Sequence, residues 1–178
     1  MIILGVDPGS RATGYGAISV EGDRLRCIES GVISTVKKGK APSIQARLLM
    51  IHSQLASLIR RISPEVIAVE EVFHAVNVRS ALILGHVRGV VLLAASQAGI
   101  PLMEYAALEV KKSVAGYGRA DKKQVQAMVK VLLNLRVEPE PHDAADALAI
   151  ALCHSFNSSL PKHKQGRWRS YTPASEKR

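Results

Sequence analysis

A chain of 178 residues, 47% of them hydrophobic, is the size of one domain and can bury a core without disulfides or a structural metal. Its two cysteines, Cys27 and Cys153, stand far apart with no Cys-x-x-Cys partner, which excludes a disulfide framework or a zinc site and fits a reducing cytosol. The formal charge of +9 favours a polyanionic partner, nucleic acid first, over an acidic or neutral surface role.

Residues 1–7 lack a basic leader and read as a strand rather than a signal peptide. Residues 2–6 are an apolar run bounded by Asp7-Pro8-Gly9-Ser10, a strand ending in a turn. Residues 14–20 and 24–35 read as two more strands joined by a turn at Gly22-Asp23. A basic loop, 36–41, follows. Pro42-Ser43 then opens a helix with Ile44, Leu48, Ile51, Leu55, Leu58 and Ile62 at helical spacing, stopped by Ser63-Pro64. Residues 65–72 are a strand, 77–98 a long helix and 102–105 a short strand. Helices over 107–114 and 122–135 flank the turn at Gly116-Tyr117-Gly118. A last helix runs over 142–156. The longest weakly polar stretch, 89–103, is broken by Ser96, Gln97, Gly99 and Pro101 and is too short to span a bilayer.

Three antiparallel strands followed by alternation predict an α/β fold, a five-stranded mixed sheet with helices on both faces. The domain covers residues 1–159. The tail, 160–178, holds Lys162, Lys164, Arg167, Arg169, Lys177 and Arg178 against Glu176 alone, and is expected to be disordered.

The candidate chemistry lies in acids. On the first strand Ile3, Gly5 and Asp7 share a face; on the 65–72 strand Ala68 and Glu70 share one face and Val69 and Glu71 the other. Acids on central strands are unusual, because charges are seldom buried without partners. Asp143 and Asp146, three apart, share one face of the last helix. Asp143 has a second explanation, as an acid answering the helix dipole. Asp146 lies deeper, on a helix otherwise apolar nearly all round. Spacing alone does not bring the four acids together. If they converge, cations must offset a repulsion of roughly 4 kcal/mol per close pair. Oxygen ligands select Mg²⁺ or Mn²⁺, and two ions about 3.5–4 Å apart make a phosphodiester-cleaving centre.

Ile3-Leu-Gly-Val-Asp7-Pro-Gly-Ser-Arg-Ala-Thr-Gly-Tyr-Gly16 resembles the opening of the RuvC family of bacterial Holliday junction resolvases. The resemblance continues through Ala68-Val-Glu-Glu-Val-Phe73, Glu104-Tyr-Ala-Ala107, Asp121-Lys-Lys-Gln-Val125 and His142-Asp-Ala-Ala-Asp-Ala-Leu148, and spans residues 1–158 in order. It implies a ribonuclease H-like fold, a homodimer, and paired symmetric nicks across a four-way DNA junction in recombination and repair. It implies Asp7, Glu70, Asp143 and Asp146 as metal ligands, and the branch-migration proteins RuvA and RuvB as partners. Some relatives carry histidine where this chain has Asp143, which makes the adjacent His142 a candidate outer-shell group or simply an exposed residue at a helix start.

Lys111, Lys112, Arg119, Lys122 and Lys123 cluster around a Gly-containing turn, either as a phosphate-binding surface or as a solvated helix end. The resemblance implies Lys111 and Lys122 beside the scissile phosphate, Lys122 with a catalytic role. It also implies that Phe73, otherwise a core residue, stacks on a base. Arg79 and Arg88 are candidates for touching the DNA backbone. The 77–98 helix is apolar on more than one stripe, so it is central or shared with a second chain. Two alternatives remain. One is a kinase-like phosphotransferase with a related phosphate loop, for which 178 residues leave too little room. The other is a non-catalytic junction-binding module with structural acids.

Overall fold

The computed structural model describes residues 1–36, 42–71, 77–158 and 170–171. Its strands are β1 (Ile2–Asp7), β2 (Ala12–Glu21), β3 (Arg24–Ser34), β4 (Val66–Glu71), β5 (Leu102–Ala106) and β6 (Ser170–Tyr171). Its helices are α1 (Ile44–Ile62), α2 (Val78–Gln97), α3 (Ala107–Ala115), α4 (Lys122–Leu132) and α5 (His142–Ser158). The sheet order is β3-β2-β1-β4-β5-β6. β1, β2 and β3 form an antiparallel meander, while β4 and β5 add in parallel beside β1.

Five strands form the mixed sheet that the alternation predicts. The two-residue β6 is one more, pairing antiparallel with β5 through Met103 and Leu102. It falls in the tail read as structureless, where no apolar period announces a strand.

Strand alternation splits the core. Leu4, Val6, Ile67 and Val69 pack under α1 and α2 with Ile51, Leu55, Val87 and Val91. Ile3 and Ala68 face α3, α4 and α5 with Val110, Val125 and Leu148. Helix α5 is buried almost all round from Ala144 to Ser155, as its composition requires. Helix α4 ends at Leu132, three residues earlier than its pattern suggests, because Asn134 turns left-handed at φ 50°.

Helix α2 is peripheral. It buries Val87, Val91, Ala94 and Ala95 and leaves Val78, Leu82 and Leu93 at 78%, 60% and 51% exposure. By length and composition alone it could cross a bilayer, so a stretch of that kind exists at Val78–Gln97 rather than at residues 89–103. Arg88 pairs with Glu104 on β5 and keeps its side chain 35% exposed.

Candidate active site

Asp7 ends β1 and Glu70 stands near the end of β4. The parallel register pairs Gly5 with Ala68 and Val6 with Val69, so Asp7 and Glu70 are the next positions along neighbouring strands. Both belong to the alternation set that faces α5. Gly14 lies directly across β2 from Asp7.

Three glycines let α5 come down onto this corner. An added Cβ on Gly5 would stand 2.0 Å from the Ala147 carbonyl oxygen, and one on Gly14 would stand 1.9 Å from that of Asp143. On Gly16 it would meet Leu148 at 2.7 Å. The helix backbone therefore rests on the sheet where β1 and β2 carry no side chain. That contact sets the first turn of α5, with Asp143, beside the strand position facing Asp7, and Asp146 one turn on. Sequence reading missed these residues. The signal was present as glycines inside apolar strands, which mark a close backbone approach.

Asp7, Glu70 and Asp146 line one cavity of about 250 Å³ with Lys111 of α3 and Lys122 of α4. Ala107, Val110, Val125 and Ala149 make its apolar wall. Lys122 Nζ lies 3.4 Å from Asp146 Oδ2. Burial raises the Asp7 carboxyl to about 7, with Glu70, Asp146 and Asp143 adding to the rise and Lys122 opposing it. Glu70 is likewise raised, by burial first and then by Asp146, against Lys122 and Lys111. Lys122 is raised, chiefly by Asp146. Asp143 does not line the cavity wall, yet its field reaches Asp7.

The donors are all carboxylate oxygens, the type that hard divalent cations take. Among the described residues no three acidic, histidine or cysteine side chains already close around one point. The acids face a shared space that has room for an ion, and their mutual repulsion is what a cation would relieve. The residues present fit such a group.

Other candidates lie elsewhere. Lys112, Arg119 and Lys123 are exposed around the α3–α4 turn, outside the cavity lining, and Arg79 is exposed at the start of α2. Phe73 lies outside the described residues. His142 is exposed, with Nδ1 3.1 Å from Gln126 Oε1. Gln126 Nε2 donates to the Pro139 carbonyl, so its Oε1 must accept and the His142 ring donates through Nδ1. The ring is tied to α4 rather than to an acid. Asp121 is a helix cap: it accepts from Gln124 N while Gln124 Oε1 accepts from Asp121 N.

The family model described as crossover junction endodeoxyribonuclease RuvC matches residues 3–154. A crossover junction endodeoxyribonuclease RuvC of Ruminiclostridium cellulolyticum is 48% identical over 154 residues, covering 86% of this chain and 91% of the relative. One from Magnetococcus marinus is 52% identical over 152 residues, covering 85% and 82%. The solved structure of Thermus thermophilus RuvC in complex with a Holliday junction substrate superposes with a TM-score of 0.82 at 36% identity, covering 89% of this chain and 94% of that one. The sheet and helices described above are the ribonuclease H-like fold of that structure.

Proposed function

As the chain belongs to the RuvC family of crossover junction endodeoxyribonucleases, we propose that it resolves four-way DNA junctions by paired symmetric nicks in the bacterial cytoplasm, from a site made of Asp7, Glu70, Asp143 and Asp146. The observation that carries this reading is the single cavity in which Asp7, Glu70 and Asp146 face Lys111 and Lys122.

The family's nucleases are metal-dependent. In this chain Asp7, Glu70, Asp143 and Asp146 would hold Mg²⁺ or Mn²⁺, two ions per site, which when bound supply an activated water and stabilise the leaving 3′-oxygen. The remaining work falls to the protein. Lys111 and Lys122 offset the charge of an entering phosphodiester and the further charge that develops on it during cleavage. Lys122 does so from a side chain that is 75% exposed and anchored, among the described residues, by Asp146, so it can shift toward substrate. The apolar wall of Ala107, Val110, Val125 and Ala149 keeps bulk water from that side, which strengthens each charge interaction inside. Arg79, Lys112, Arg119 and Lys123 hold flanking phosphates, and Phe73 stacks on a base near the junction centre.

Symmetric nicking needs two sites, and the outer face of α2 supports a homodimer. Val78, Leu82 and Leu93 are exposed, and nothing among the described residues lies within 4 Å of a Cβ added at Gly85 or Gly89, so a second helix can approach closely. The inner face packs on the sheet and carries the Arg88–Glu104 pair, which disfavours a bilayer as the occupant. RuvA and RuvB are proposed as partners on the family resemblance.

The test compares a labelled four-way junction with linear duplex in Mg²⁺. The chain should cut the junction alone, and Asp7→Asn should bind the junction without cutting it. Equal cutting of the duplex, or full cleavage by Asp7→Asn, would overturn the reading.

A further inference from the structure

Residues 8–11, between Asp7 and β2, form no regular structure, yet three successive carbonyls there are fastened from inside the fold. Thr13 Oγ1 donates to the Gly9 oxygen at 2.7 Å, and Thr35 Oγ1 to the Ser10 oxygen at 2.8 Å. Thr35 N donates to the Arg11 oxygen at 3.0 Å. Both threonines are fully buried, at 0% and 1% exposure. From α1, Arg47 Nη1 reaches Ser10 Oγ at 3.3 Å. The turn is clamped by a strand, the end of a second strand and a helix.

A trans peptide sets each N–H opposite the carbonyl that precedes it. With the Gly9 and Ser10 carbonyls drawn inward, the N–H groups of Ser10 and Arg11 point away from the threonines. Neither has a hydrogen-bond partner among the described residues. The Arg11 side chain is exposed. Two successive amide donors beside a guanidinium, on a rigid turn four residues beyond Asp7, are a phosphate-binding arrangement. Sequence reading placed the cations for DNA around α3 and α4 and on α2, and none in this turn.

We infer that the turn at residues 9–11 binds a backbone phosphate of the strand being cut, beside the scissile one, through the main-chain N–H groups of Ser10 and Arg11 and the Arg11 guanidinium. The clamp from Thr13, Thr35 and Arg47 holds the donors in place before DNA arrives. Backbone contact here, together with Lys111 and Lys122, grips the strand beside the acids. This inference rests on the junction-nuclease reading above.

The experiment is equilibrium binding of the full chain to a labelled four-way junction without divalent ions, from about 50 to 200 mM salt, a range over which phosphate contacts dominate the response. Arg11→Gln should bind more weakly at low salt, with the slope of log affinity against log salt smaller by about 0.9, one phosphate contact. Its melting temperature should match the parent's, and Arg11→Lys should restore the slope. An unchanged slope in Arg11→Gln, or weaker binding accompanied by lower melting at unchanged slope, overturns the inference. A parent chain that binds no junction would instead sink the proposed function, so the two failures are distinguishable.

Discussion

Gly14→Ala places a methyl group where α5 meets the sheet. The new carbon would stand 1.9 Å from the Asp143 carbonyl oxygen and 2.5 Å from its carbon, whereas real side-chain carbons essentially never come within 3.0 Å. Both obstacles are backbone, so neither a rotamer change nor a flexible tip relieves them. The first turn of α5 must lift by about 1 Å, and a misplacement of that size costs roughly 10²-fold in rate where acids must act together. Forcing a carbon into a packed contact costs about 1–3 kcal/mol of stability. Junction cleavage should therefore fall about a hundredfold, measured at a temperature where circular dichroism shows the variant still folded. Junction binding should change little, because Lys111, Lys112 and Lys122 belong to α3 and α4. Gly118→Ala is the matched control: the three atoms nearest its added carbon all belong to Leu108, an exposed side chain that can swing aside. Cleavage by Gly14→Ala at the parent rate, with parent melting, would refute the claim that this glycine sets the height of α5.

Two further outcomes follow from the same geometry. Burial and neighbouring acids raise Asp7 from 3.8 to about 7, so between those values the folded state keeps a proton that the unfolded chain has lost; stability without divalent ions should fall as pH rises from about 4 to 7, by on the order of 4 kcal/mol from this group. Asp7→Asn should consequently melt higher than the parent at pH 8 in a chelator, and Mg²⁺ should narrow the gap; equal or lower melting of the variant in chelator counts against the acid cluster. Leu82→Asp puts a charge on the exposed stripe of α2, a site 60% open in the single chain, and should convert a dimer to monomers in analytical ultracentrifugation while leaving melting of the monomer within about 0.5 kcal/mol of the parent; an unaltered dimer places the interface elsewhere.

How much of this was legible in the sequence depends on the range of the determinant. Alternation is local, so the faces of Asp7, Glu70 and Glu71 could be read from β1 and β4 before any pairing was known. The caps were local too: Ser43 accepts from Ala46 N, and Asn77 from Ser80 N, at the helix starts read from the chain. The long apolar helix 77–98 left two choices, central or shared. The fold decides against a central helix, since only Val87, Val91, Ala94 and Ala95 are fully buried, with Val90 and Leu92 packed partly against the same core and Arg88 paired with Glu104. Nothing in the spacing of Arg88 could reveal that partner, because Glu104 comes from a strand formed later in the chain.

Convergence of the acids was the least legible feature, and the reason is physical. A side chain advertises itself in sequence, but the fit of α5 against β1 and β2 is made by side chains that are missing. Gly5 and Gly16 admit Ala147 and Leu148, and Gly14 admits Asp143. This also recasts Asp143, read either as a ligand or as an answer to the helix dipole. Its main chain is the contact that seats the helix, and its carboxylate is near enough to raise Asp7. The residue thus takes part in the site twice, through its backbone as a spacer and through its charge. A substitution confined to its carboxylate should separate the two roles, because Asp143→Asn removes the field on Asp7 while leaving the Gly14 contact intact.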